Sequence, residues 1–185
     1  MRLLLIPFIF VALSGCHKEA ANQAALTAEA GPVKGVDRSH KGAPAPAATF
    51  TDPDGNETRL AEFSGKPLLL NLWATWCAPC VKELPTFDRL AADEKALAVI
   101  AVSQDSGPHA SVEAFLASHK IVNLAAYQDT KSGLSGALGP DAVLPTTILY
   151  DSSGREVWRY VGDLDWTGPE AARLIAEGAA PPQKG

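Results

Sequence analysis

Two predominantly apolar runs occupy the middle of the chain, one over residues 68–73, with Asn71 as its polar member, and one over residues 96–103, which ends in Ser103. Both runs are apolar at odd and even positions alike, which is typical of strands covered on both faces of a sheet. Residues 78–92, between them, carry apolar side chains at every third position, at Val81, Leu84, Phe87 and Leu90. This spacing predicts an amphipathic helix, with a kink at Pro85 because proline removes one helical hydrogen bond. The centre of the chain is therefore predicted to be strand–helix–strand.

Shorter elements are predicted on both sides of this unit. Segments 49–51 and 57–60 enclose the turn sequence Asp-Pro-Asp-Gly-Asn and predict a β-hairpin. The later pattern predicts, in order, a helix over 111–120, a short strand over 124–128, a short helix over 130–138, a hairpin of strands over 146–150 and 155–161, and a helix from Gly168 to about Ile175. Strands alternating with helices and ending in a hairpin indicate a mixed α/β domain, a pattern that several folds share.

The first 15 residues combine one positive charge, an apolar run and small residues at the end. The run is shorter than the ~20 residues of a membrane-spanning helix and has the size of a signal peptide. The sequence Leu-Ser-Gly-Cys at 13–16 resembles the bacterial lipobox, which implies cleavage before Cys16 and acylation of that cysteine. An ordinary signal peptide followed by an incidental cysteine is the alternative. We predict a signal peptide over 1–15 and a lipid anchor at Cys16.

The segment after Cys16 is rich in Ala, Gly and Pro, and no aromatic residue lies between Phe10 and Phe50. A segment of this composition buries too little apolar surface to fold by itself. We therefore predict a lipidated flexible tether over 16–45, a folded domain over 46–178 and a flexible tail over 179–185.

The charge of the chain excludes one class of partner. The 185 residues carry a formal net charge of -5 and contain no cluster of Lys or Arg. Nucleic-acid binding depends on such clusters, because they neutralise phosphates. The sequence therefore argues against a nucleic-acid partner.

The candidate chemistry lies where the first apolar run meets the predicted helix, in the sequence Trp76-Cys77-Ala78-Pro79-Cys80. Two cysteines three residues apart on a first helical turn share a face, so their sulfurs can form a disulfide. Cys77 lies at the helix start, where free N–H groups and the helix dipole favour the nucleophilic thiolate. Cys80 lies one turn further in and is better suited to resolve a mixed disulfide. Pro79 is tolerated because first-turn N–H groups have no intrahelical partner.

Two other interpretations of the cysteine pair are weaker. A structural disulfide at this spacing would close almost no loop and would contribute little stability. A zinc site would need a second ligand pair, and the four histidines show no ligand spacing. We therefore expect a redox pair, with neither a metal nor another cofactor.

The motif, its preceding strand and the sequence Leu-Pro-Thr-Thr at 144–147 together resemble the thioredoxin superfamily. More narrowly, the chain resembles the TlpA-like thiol–disulfide oxidoreductases, with ResA and CcmG as relatives, over roughly residues 46–177. The resemblance implies a thioredoxin-like α/β fold. In that fold a central mixed sheet is flanked by helices, with an N-terminal β-hairpin and a central αβ insertion.

The resemblance also assigns roles outside the cysteine pair. Pro145 matches the family's cis-proline beside the cysteines, and the backbone at Leu144 would pair with an extended substrate chain. The substrate-binding rim would comprise Trp76, Ala78, Pro79 and Leu144. A non-functional turn proline is the alternative for Pro145.

Two further positions bear on the comparison with classical thioredoxins. Asn71 stands where classical thioredoxins carry a buried Asp that accepts a proton. Glu83 matches a Glu of the TlpA/ResA branch, where a carboxylate would tune the thiols and shuttle a proton. An exposed helix glutamate is the alternative for Glu83. Trp73 and Trp166 are expected to pack in the core.

The resemblance implies an extracytoplasmic, membrane-anchored disulfide reductase on the periplasmic side of the cell envelope. Its electrons would come from a membrane thiol transporter of the DsbD/CcdA kind, and family clients include apocytochrome c and copper-site assembly proteins. Two alternatives stay open at this point: an oxidase that donates its disulfide, and a copper metallochaperone that uses Cys77 and Cys80. The bilayer, contacted through acylated Cys16, and disulfide-containing clients are the expected partners.

Overall fold

A computed structural model describes residues 34–178, which form a single mixed sheet with helices packed against it. In the described residues the sheet has eight strands in the order β1-β8-β7-β4-β5-β6-β2-β3. Their bounds are β1 Gly35–Asp37, β2 Thr49–Thr51, β3 Glu57–Arg59, β4 Leu68–Trp73, β5 Ala98–Ser103, β6 Tyr127–Gln128, β7 Thr146–Tyr150 and β8 Glu156–Val161. The helices are α1 Ala78–Asp93, α2 His109–Ser118, α3 Gly133–Leu138 and α4 Pro169–Ala176, with one 3-10 turn at Leu60–Phe63.

The central strand–helix–strand unit is confirmed. Strand β4 pairs in parallel with β5 and antiparallel with β7, which makes the sheet mixed. Every residue of β4 is buried, because its side chains alternate between two apolar clusters. Leu69 and Trp73 face one cluster with the buried side of α1, while Leu70 and Leu72 face the other with Phe50 and Ile148. Two-sided burial explains why β4 is apolar at consecutive positions.

The other predicted elements are present with shifted ends. The β2–β3 hairpin, the β7–β8 hairpin and the final helix lie where the pattern placed them. Helix α2 begins and ends two residues earlier than predicted. Helix α1 continues through Pro85 to Asp93. The predicted thioredoxin-like α/β fold is confirmed, with helices flanking a mixed sheet.

The tether predicted for residues 16–45 is wrong for its last part. Strand β1 pairs antiparallel with β8, with Val36 opposite Tyr160. Further along, the Gly42 N–H donates to the Glu156 carbonyl at 2.7 Å. This segment therefore joins the sheet through backbone hydrogen bonds, which require no apolar side chains, and the folded domain begins before residue 46.

Several predictions lie outside the described residues: the signal peptide over 1–15, the anchor at Cys16, the tether up to residue 33 and the tail over 179–185. Among residues 34–178, no helix is long and apolar enough to cross a membrane.

Candidate active site

Cys77 and Cys80 form a disulfide at the beginning of α1, with an S–S distance of 2.03 Å and a Cα–Cα distance of 5.2 Å. Cys77 is the N-cap residue in an extended conformation, and Ala78 and Pro79 are the first helical residues. Cys80 is fully buried, whereas Cys77 retains 6% of its surface. The solvent-facing sulfur is thus the one at the helix N-terminus, where an anion is stabilised after reduction. This arrangement suits Cys77 as the attacking thiol and Cys80 as the resolving thiol.

A carboxylate that the sequence analysis missed holds the loop before Cys77. Asp105, just beyond β5, accepts hydrogen bonds from the Thr75 N–H at 3.0 Å and the Thr75 hydroxyl at 2.7 Å. Asp105 also accepts a hydrogen bond from the Ser103 hydroxyl at 2.6 Å. Because β4 and β5 are parallel neighbours, their carboxyl ends meet at one edge, and Asp105 joins the two loops that leave it.

A groove of about 600 Å³ opens beside the disulfide. Its lining is mainly apolar and includes Trp76, Cys77, Pro79, Val143 and Leu144, with Gln104 among its polar members. Trp76 is 70% exposed and Val143 37%, so two large apolar side chains of this lining face solvent in one groove. The groove therefore offers an apolar surface next to the sulfur that faces solvent.

The opposite wall of the groove comes from two segments. The Leu144–Pro145 peptide bond is cis, Leu144 lines the groove, and Pro145 leads directly into β7. Helix α3 contributes Ser135, and its start is held by Asp129, whose carboxylate accepts the N–H groups of Gly133 and Leu134 at 2.9 Å. The predicted rim residues Trp76, Ala78, Pro79 and Leu144 all line this one groove.

Glu83 is buried, with 3% of its surface exposed, so the alternative of an exposed helix residue is wrong. Its Oε1 accepts the Asn71 amide at 2.7 Å, and its Oε2 accepts the Leu164 N–H at 3.1 Å and the Trp166 indole N–H at 3.0 Å. Burial raises the pKa of Glu83 from 4.5 to about 7, although the three hydrogen bonds oppose the shift. A carboxyl group with such a pKa can both take up and release a proton near neutral pH.

Asn71 connects Glu83 to the strand after Pro145. Its amide nitrogen also donates to the Thr147 hydroxyl at 2.9 Å, while its Oδ1 has no hydrogen-bond partner among the described residues. Asn71 therefore lies in the core as a donor to Glu83 and β7.

Trp73 and Trp166 are both buried, as predicted. Trp166 packs edge-on against Phe87, with ring centroids 5.6 Å apart, and donates to Glu83. The polar role of Trp166 was missed, because 83 residues separate it from Glu83 in the sequence.

The described residues 34–178 contain no group of three His, Cys, Asp or Glu side chains arranged to hold a metal ion. The chemistry that their geometry supports is thiol–disulfide exchange at Cys77 and Cys80.

Comparison with known proteins identifies sequence relatives over most of the described residues. The Redoxin family model matches residues 40–175. A thiol-disulfide oxidoreductase ResA of Bacillus cereus is 33% identical over 125 residues, covering 66% of this chain and 70% of ResA. ResA of Bacillus subtilis (strain 168) is 32% identical over 131 residues, covering 70% of this chain and 72% of ResA.

Solved structures agree in fold. The pneumococcal exposed lipoprotein thioredoxin from Streptococcus pneumoniae has a TM-score of 0.58 at 23% identity, covering 71% of this chain and 98% of its own. A secreted disulfide oxidoreductase of Mycobacterium tuberculosis has a TM-score of 0.59 at 19% identity, covering 73% and 96%. These structures show the shared fold. The Redoxin model and the ResA relatives show that the chain belongs to the redoxin family, as a ResA-like thiol–disulfide oxidoreductase whose redox pair is Cys77–Cys80.

Proposed function

We propose that this oxidoreductase works outside the cytoplasm, anchored to a membrane through acylated Cys16, and reduces disulfides in client proteins. The observation that carries the proposal is the position of Cys77 on an exposed apolar groove of about 600 Å³, with Cys80 buried behind it. An apolar groove beside a nucleophile suits an extended polypeptide better than a small polar molecule.

The reaction proceeds in two exchanges. The Cys77 thiolate attacks one sulfur of the client disulfide, which forms a mixed disulfide and releases the other client sulfur as a thiolate. The Cys80 thiolate then attacks the Cys77 sulfur, which releases the second client thiolate and leaves the Cys77–Cys80 disulfide. Two electrons pass to the client, and an external dithiol donor returns the protein to its reduced state.

Glu83 is assigned to the proton of Cys80. The two residues are three apart on α1, so they share a face of the helix, and both are buried. With a pKa of about 7, the Glu83 carboxylate can accept the Cys80 proton as the resolving thiolate forms.

The clients we propose are apocytochrome c or copper-site assembly proteins, and the electron donor is a membrane thiol transporter of the DsbD/CcdA kind. Both assignments rest on the resemblance to the ResA branch. A location outside the cytoplasm is supported by the signal-peptide-like residues 1–15 and by the lipobox-like residues 13–16. Mass spectrometry of protein extracted from native membranes should find an acylated Cys16; a free Cys16 thiol would contradict the anchor.

A trapping experiment tests the roles of the two cysteines. In Cys80→Ala the resolving thiol is absent, so a mixed disulfide between Cys77 and the client should accumulate and appear as a reducible adduct on gels. Cys77→Ala is the matched control and should form no adduct. An adduct that forms instead through Cys80 in the Cys77→Ala protein would reverse the roles.

A further inference from the structure

A second cavity, of about 460 Å³, reaches Glu83 from a different part of the surface. It shares no lining residue with the groove beside the Cys77–Cys80 disulfide. Most of its lining residues are titratable, and they come from α1, β8, α4, the loop after β8 and the residue before β1. Glu83 thus borders a space that is large enough for several water molecules and separate from the groove that a client would occupy.

Asp163 organises the charges around this cavity. Its two carboxylate oxygens each bind one lysine, Oδ1 the Lys34 ammonium at 2.7 Å and Oδ2 the Lys82 ammonium at 2.8 Å. These hydrogen bonds lower the pKa of Asp163 to about 2, so Asp163 is ionised at every pH at which the thiols react. The next residue, Leu164, donates its N–H to Glu83. Asp163 is therefore fixed between the lysines and Glu83.

In the resolving step, a proton has to leave the protein while the client occupies the groove. Cys80 is fully buried, and its thiol has to lose a proton before its sulfur can attack the mixed disulfide. At that moment the client is covalently attached to Cys77 and occupies the groove. Glu83 can accept the proton from inside the protein, but it has to pass the proton on to water before the next cycle.

We propose that the cavity is the proton exit of the resolving step and that Asp163 is a positioning residue of this exit, holding Lys34 and Lys82 away from Glu83. The Cys80 thiol gives its proton to the Glu83 carboxylate and becomes the thiolate that attacks Cys77. The protonated Glu83 then releases the proton to water in the cavity. The inference rests on the proposed role of Glu83 in the reductase.

The titratable groups around Glu83 determine the direction of the expected effect. They are Lys82 on α1, Tyr160 on β8, Asp163 and Asp165 in the following loop, Glu170 on α4 and Lys34 before β1. Removing the negative charge of Asp163 favours the ionised form of Glu83, because a repelling charge is lost. It also frees two ammonium groups, which then stabilise the Glu83 carboxylate. Both effects act in the same direction.

The test is Asp163→Asn, with Asp165→Asn as the matched control. Asp165 borders the same cavity, but its carboxylate binds Thr167 rather than the lysines. The measured quantity is the rate at which a preformed mixed disulfide on Cys77 is resolved, followed from about pH 5 to 9. Two adducts are compared: glutathione, which covers little of the groove, and a ~20-residue peptide, which covers more of it.

In Asp163→Asn we expect the acidic limb of the rate profile to move down by about half a pH unit for both adducts. One pH unit below the wild-type midpoint, that shift corresponds to resolution about threefold faster. Asp165→Asn should shift the limb less than Asp163→Asn, because it removes a negative charge but frees no ammonium group. An unchanged limb in Asp163→Asn, or a shift with glutathione alone, would overturn the proton exit. Glu83→Gln distinguishes failure of the proton exit from failure of the proposed role of Glu83. If the acidic limb persists without Glu83, the proposed role of Glu83 itself is wrong.

Discussion

Replacing Glu83 with Gln should remove a large part of the pH dependence of stability. Burial raises the pKa of Glu83 from 4.5 to about 7 in the folded protein, which corresponds to about 3 kcal/mol. A raised pKa in an acid means that the folded state binds the proton more tightly than the unfolded state. The stability is therefore complete below pH 4.5, declines as the pH rises through 7, and reaches its minimum above 7. Between about pH 5 and pH 8 the loss is about 2–3 kcal/mol.

The hydrogen bonds of Glu83 make Gln a suitable replacement. The Gln Oε1 can accept from the Leu164 N–H and the Trp166 indole, as the Glu83 Oε2 does. The Gln amide nitrogen would face Asn71, whose Oδ1 has no partner among the described residues. If the Asn71 amide turns over, this oxygen accepts the new N–H, so Gln can keep a hydrogen bond to Asn71 without a charge.

The assay is urea unfolding of the oxidised protein, followed by tryptophan fluorescence from about pH 5 to pH 8. In the disulfide form the thiols of Cys77 and Cys80 do not titrate, which leaves Glu83 as the dominant group in this window. The wild type should lose about 2–3 kcal/mol more than Glu83→Gln across the range. Glu94→Gln, at the exposed C-terminal end of α1, is the control and should follow the wild type. Parallel curves for wild type and Glu83→Gln would refute the reasoning, because Glu83 would then not titrate in this range.

Two further substitutions test the neighbouring contacts. Asn71→Asp places a second carboxyl group against the Glu83 Oε1, where the Asn71 amide nitrogen now lies at 2.7 Å, and two carboxyl groups that close cannot both be ionised. Urea unfolding should therefore show a steeper loss of stability with rising pH than in the wild type. An equal slope would contradict this. Asp105→Ala removes the acceptor of the Thr75 N–H and hydroxyl, which should cost about 1–3 kcal/mol in thermal unfolding. Asp141→Ala, at an exposed position, is its control and should be neutral; equal melting temperatures for the two variants would show that Asp105 does not hold the loop.

The elements predicted most reliably from the sequence are those in which the positions of apolar residues match the buried positions. Strand β4 buries a continuous run of residues, and helix α1 buries a stripe of apolar residues along one face. Both patterns can be recognised in the sequence without the structure. Strand β1 was missed because it joins the sheet through backbone hydrogen bonds. Its three residues, Gly35, Val36 and Asp37, are all partly buried and show no alternation of buried and exposed positions.

The cysteine pair was predictable because its chemistry depends on local spacing, whereas the surroundings of Glu83 are assembled from distant segments. Its partners Asn71, Leu164 and Trp166 lie on β4 and in the loop after β8. One local signal was available: Glu83 lies between Cys80 and Phe87 on the buried side of α1, which itself indicated that the carboxyl group points inward.

Asp105 could also have been found from the sequence. A polar residue directly after the second of two parallel strands lies at the same edge as the loop after the first strand, which here carries Thr75 and Cys77. The cluster of Asp163 with Lys34 and Lys82 had no such signal. It joins a residue before β1, a helix and a loop that are far apart in the chain.

The direction of electron flow is tested most directly by the reduction potential of the Cys77–Cys80 couple. The purified protein would be equilibrated with glutathione or dithiothreitol buffers, and the fraction of disulfide quantified by thiol alkylation and mass spectrometry. Since Ala78 and Pro79 add no cation at the helix start, and Glu83 adds a carboxyl group one turn beyond Cys80, the thiolate is less stabilised than in strong oxidants. We therefore expect a potential near that of thioredoxin, about −270 mV. A value near that of DsbA, about −120 mV, would contradict it and make the protein a disulfide donor.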